Sequence, residues 1–227
     1  MVPAREALAR LKEGNQRFAV NVSGPDAFIS HTKRVDLTAP QDPFAIILGC
    51  SDARVPAEIV FDQGLGDLFV IRVAGNIVAP SQVGSVEFAA SRFSTKLVVV
   101  LGHSQCGAIL ACLEELQRPA GNQSRNVRSI VDRVRPSVEG LFATDLRHDE
   151  PALVKQAVRA NIRASVDHLR HGSELLEQLI QDDGLLVVGA EYSLETGVAE
   201  FFDGAADAGR SDSNGYRRRV DDQGRGD

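Results

Sequence analysis

No apolar run in this 227-residue chain approaches the roughly 20 residues that cross a bilayer as a helix, so no membrane partner is expected. Basic excess is missing too. The formal net charge is -6, which gives no overall positive field to gather a phosphate backbone, and nucleic acid is not an expected partner. Cysteine is scarce, and three is an odd number, so free thiols or metal ligands fit better than a disulfide framework. The N-terminal stretch MVPAREALARLKEGNQRF spreads Arg, Lys and Glu through an amphipathic pattern where a secretory leader needs an apolar segment; cytoplasmic residence is the expectation. No internal repeat and no linker splits the chain into two cores, and its length suits one ordinary α/β domain.

What is present is a set of short apolar runs separated by helical spacing. Phe44 to Leu48, Leu68 to Val73, Leu97 to Leu101 and Leu185 to Val188 read as buried strands, with helices over Val83 to Phe93 and the long stretch Pro151 to Ile180 between them. Such alternation predicts an α/β fold: a central, mostly parallel, four-stranded sheet flanked by helices. Val198 to Phe202, after the turn-like Glu195-Thr196-Gly197, adds a short antiparallel strand. Pro3 to Phe18 forms an N-terminal helix whose Leu8, Leu11 and Phe18 share one face. Residues 1–203 are expected to make one domain, with 1–40 as an N-terminal helical arm. The small, polar stretch 204–227 has almost nothing to bury and reads as a disordered tail.

Chemistry concentrates at two strand ends. The first strand runs into Gly49-Cys50-Ser51-Asp52-Ala53-Arg54 and the third into Gly102-His103-Ser104-Gln105-Cys106-Gly107. In open parallel sheets ligands gather beyond the carboxyl ends of the strands, where strand order reverses, so the two clusters are placed to converge. Convergence assembles two thiols, an imidazole and a carboxylate, all acceptable to a tetrahedral zinc ion. Ser104 reads as the N-cap of a helix over Gln105 to Leu116, whose positive end favours a Cys106 thiolate. Each half alone is a weak signal: Cys50 is also a small hydrophobe ending a strand, and His103 a satisfied histidine in a turn. Gly64-Leu65-Gly66 lacks the spacing and Lys of a phosphate loop and reads as a turn. Cys112 is expected to be buried; His31, His148, His168 and His171 have no ligand-like partners and read as solvated.

The segments CSDARVPAEIVFDQGLGDLFVIRVAGN, from Cys50 to Asn76, and VVVLGHSQCGAI, from Val98 to Ile109, resemble the two signatures of β-class carbonic anhydrases. Gly189-Ala190-Glu191-Tyr192 resembles that family's last core strand. The resemblance implies one Zn2+ per subunit on Cys50, His103 and Cys106, with water, or Asp52 in a closed form, as fourth ligand. It implies an Asp52–Arg54 dyad that orients the nucleophile, and reversible hydration of carbon dioxide to bicarbonate and a proton by zinc-bound hydroxide. Gln41, Phe69, Ala74, Phe88 and Gly107 match residues that bind substrate, Gln41 across the interface of a homodimer or dimer of dimers. Taken singly, Phe69 and Phe88 read as core. Arg72 and Tyr192 match two members of a regulatory bicarbonate pocket, but its third position is Ile47 and the chain has no Trp, so an open site without that switch is expected. The alternatives are hydrolysis of a related heterocumulene such as carbonyl sulfide or carbon disulfide, a cysteine hydrolase using Cys50, His103 and Asp52, and a non-catalytic zinc-binding module.

Overall fold

The computed structural model describes residues 1–22, 38, 40–118 and 124–205. His31, much of the expected arm and all but the first two residues of the expected tail lie outside them. Five strands form one sheet: β1 (Ala45–Gly49), β2 (Leu68–Arg72), β3 (Leu97–His103), β4 (Leu186–Tyr192) and β5 (Ala199–Asp203). Their order is β2-β1-β3-β4-β5. The first four are parallel and β5 runs antiparallel to β4, as the apolar runs predict. β1 and β3 are neighbours, with Gly49 level with Leu101, so the residues after β1 stand beside the end of β3.

Alternation along the strands sorts the core into two layers. Ile46, Leu48, Val98, Val100 and Val187 face one side. That side is covered by α3 (Pro80–Arg92), α4 (Gly107–Gln117), α5 (Arg125–Val138), α6 (Glu150–His171) and α7 (Glu174–Asp182). Ile47, Val99, Leu101, Val188 and Ala190 face the other. There the cover is α1 (Ala4–Ala19) and the single turn α2 (Ala57–Val60). Ala7, Leu8 and Leu11 of α1 are buried against this chain's own sheet, about 2 kcal/mol for each leucine. Asn15 fixes the helix further: its amide donates to Val60 O and Gly197 O, and its oxygen accepts from Ala199 N–H.

Two helix boundaries differ from the sequence reading, each for a local reason. The stretch over Pro151 to Ile180 is two helices. A Cβ at Gly172 would stand 2.5 Å from His168 O, and Ser173 opens α7 by accepting from Leu176 N–H. The helix after His103 begins at Gly107, with Cys106 at its cap position, because Gln105 takes a φ of 55° and leaves the helical path. Ser104 therefore caps nothing; its hydroxyl donates to Glu195 and accepts from Leu194 N–H.

Candidate metal centre

β1 delivers Cys50 and β3 ends on His103, while the loop into α4 carries Cys106 back toward both. The ligand atoms of Cys50, His103 and Cys106 lie within 4.8 Å of one another, and all three residues are buried. The two sulfurs are 4.0 Å apart. That is twice the length of a disulfide bond and near the edge of a tetrahedron with ~2.3 Å metal–sulfur bonds. His103 Nδ1 lies 2.9 Å from Ser104 O and donates to it in the tautomer that leaves Nε2 with its lone pair; Nε2 is buried with no hydrogen-bond partner. An imidazole nitrogen stranded beside two thiols, its tautomer fixed by a backbone carbonyl, has the form of a metal ligand.

The electrostatics agree. Cys50 is drawn far below the ordinary thiol range, first by its hydrogen bond with Cys106 and against the effect of burial; His103 and the Gly75 N–H, 3.3 Å from the sulfur, add to the fall. Cys106 moves up, because it shares the proton with Cys50 and is buried. Burial works to lower His103, but the neighbouring Cys50 and the charge of Asp52 raise it overall. Protein alone thus leaves a buried negative thiolate competing for protons with its neighbours, which a divalent cation would satisfy at once.

Asp52 stands at the mouth of this cluster, its Oδ2 3.8 Å from His103 Nε2. Arg54 grips it in a fork: Nε donates to Oδ1 at 2.9 Å, Nη2 to Oδ2 at 2.8 Å, and the backbone N–H to Oδ1 at 3.0 Å. Those hydrogen bonds hold the carboxyl well below the usual carboxylate range. Arg72 fastens the same turn from beneath, donating to Cys50 O and Asp52 O at 3.0 and 2.5 Å.

The family model described as "Carbonic anhydrase" matches residues 45–199. Carbonic anhydrase 2 of Mycobacterium tuberculosis is 40% identical over 193 residues, 83% of this chain and 88% of that one. The carbonic anhydrase of Mycolicibacterium smegmatis is 38% identical over 205 residues, 88% and 93% of the two chains. Among solved structures, a tetrameric β-carbonic anhydrase from Sordaria macrospora aligns with a TM-score of 0.67 at 25% identity, covering 74% of this chain and 85% of that one. The chain belongs to the β-carbonic anhydrase family. Identity at this level over most of both chains makes it a carbonate dehydratase.

In this carbonic anhydrase the residues matched to a substrate wall occupy three places. Ala74 opens the single turn Ala74–Asn76, next to the Gly75 N–H that reaches Cys50. Gly107 starts α4, and Gln41 is exposed on the segment entering β1. Phe69 and Phe88 meet each other and Phe93 at centroid distances of 5.7 to 6.3 Å. Phe69 is half-buried, but Phe88 is 54% exposed, so the reading of Phe88 as core is wrong: it sits on the outer side of α3, beside edge strand β2. His148, His168 and His171 are exposed as expected, and Cys112 is buried.

Sequence reasoning passed over the residues that fasten the Gly75 turn. Asn161 Nδ2 donates to Gly75 O at 2.8 Å and Ser165 Oγ to Asn76 O at 3.0 Å. Both are buried polar residues one turn apart on α6, among Ala157, Val158, Ile162 and Val166. Their spacing on an otherwise apolar face was the available signal.

Proposed function

We propose that this chain hydrates carbon dioxide reversibly to bicarbonate and a proton, with one zinc ion per subunit held by Cys50, His103 and Cys106. The observation that carries the reading is the buried, unpartnered Nε2 of His103 facing two thiols 4.0 Å apart. Zinc held by these residues would supply acidification of bound water, the chemistry used by the three-histidine carbonic anhydrases. The protein supplies the orientation. Arg54 holds Asp52 ionised and fixed in direction, leaving lone-pair capacity on Oδ2 to accept a hydrogen bond from the attacking water. With Asp52 committed to Arg54, a zinc ion held by Cys50, His103 and Cys106 would keep access to water, and Ile47 offers no donor for a bicarbonate switch with Arg72 and Tyr192.

Gln41, Phe69, Ala74, Phe88 and Gly107 are assigned to the substrate side, Gln41 donating its amide across the interface of a homodimer or dimer of dimers. The product proton passes to buffer. Residues 1–203 serve as one such domain, and the cytoplasm is the assigned compartment.

The test is substitution with metal content and hydration rate read on the same samples. Cys50→Ser, His103→Ala and Cys106→Ser each lose zinc and activity together. Asp52→Asn and Arg54→Ala keep the zinc and lose roughly 10- to 100-fold in rate, as expected for groups that orient rather than ligate. Retained zinc with full activity in any ligand variant overturns the assignment.

A further inference from the structure

Between His103 and Cys106 the chain passes through a strained residue. Gln105 has a φ of 55°, the left-handed region that residues with a Cβ rarely adopt. Such a conformation persists only where its surroundings over-determine it. Here the surroundings converge on one carboxylate. Glu195 Oε1 accepts from Gln105 Nε2 at 2.8 Å, and Oε2 accepts from the hydroxyls of Ser104 and Ser193, each at 3.0 Å. Ser104 is fixed twice more, its Oγ accepting from Leu194 N–H and its own N–H donating to Tyr192 O. Its carbonyl is the group that orients His103 through Nδ1.

The turn that carries Glu195 is itself anchored. Gly197 N–H donates to Ser193 O, Ser193 N–H to Val198 O, and Asn15 of α1 holds Gly197 O and Ala199 N–H from behind. Arg159, which lines the same cavity of about 670 Å³ as Glu195, is committed to Glu191 and Glu200.

We propose that Glu195 is a positioning residue for the metal centre: from the β4–β5 turn it clamps Ser104 and Gln105 in the shape that aims His103 Nε2 and Cys106 Sγ at Cys50. The proposal rests on the zinc reading above, and it adds a route by which α1, through Asn15 and the turn, supports that site.

The experiment compares wild type, Glu195→Ala and Glu195→Gln as zinc-loaded and cobalt-substituted proteins, reading zinc release to a competing chelator and the cobalt absorption spectrum. A Gln side chain keeps an oxygen for the two serine hydroxyls, and its amide can donate to a flipped Gln105, so the clamp survives. Glu195→Ala is expected to release zinc about tenfold faster and to shift the cobalt bands, with Glu195→Gln close to wild type. A purely structural role would lower the melting temperature and leave the cobalt spectrum unmoved. Wild-type release and spectrum in Glu195→Ala overturn the clamp, as does equal loss in both variants, which would assign the effect to charge. A wild-type protein that takes up neither metal overturns the zinc reading itself, and the clamp with it.

Discussion

Cys112 shares the burial of Cys50 and Cys106 but none of their company. Its thiol faces the Val131 carbonyl at 3.7 Å, and burial pushes its pKa up to about 11 from an ordinary 9.0. The fold therefore favours the protonated thiol. That preference stabilises fully below pH 9, where the unfolded chain is also protonated, and is lost as pH rises through about 11. The contribution is on the order of 2 kcal/mol. Wild type should exceed Cys112→Ala in stability at neutral pH, and chemical denaturation should show the gap narrowing across that alkaline window. A gap that stays constant contradicts the role of burial. The Cys50, His103 and Cys106 cluster was legible because these residues stand at strand ends and within two family-like segments. Glu195 was not legible, since a carboxylate in a surface turn looks like any solvated charge until its three donors are seen.

The Ala74–Asn76 turn shows what an element contributes beyond its length. Gly75 has a φ of 71°, and a Cβ there would stand 2.9 Å from Ala108 Cβ, so the position demands glycine. Its carbonyl is held by Asn161 and its N–H by Cys50, which ties α6 to a sulfur of the candidate metal centre. Asn161→Ala should strand that carbonyl and cost about 1–3 kcal/mol, read as a lower denaturation midpoint, with faster zinc release than wild type. An unchanged midpoint and release rate would mean that the turn holds itself. Strand runs were legible within a few residues because buried parallel strands are continuously apolar. The break at Gly172 and the late start of α4 were not, because the first depends on a close approach to His168 O and the second on one backbone angle at Gln105.

In the whole molecule, the sheet ends on strand β2 beside the exposed Phe88, while α1 is packed on its own core. The exposed Phe88, seated on half-buried Phe69 and Phe93, fits a face completed by a second copy. Light scattering should give at least a dimer, and Phe88→Glu should shift it toward monomer with loss of hydration. A fully active monomer would contradict shared sites. Whether Cys50, His103 and Cys106 hold the zinc used for hydration is decided by carbon dioxide hydration by one preparation before zinc removal, after it, and after zinc is restored. One zinc per subunit, loss of hydration on chelation and recovery at one equivalent are expected; undiminished hydration by zinc-free protein would rule the metal site out.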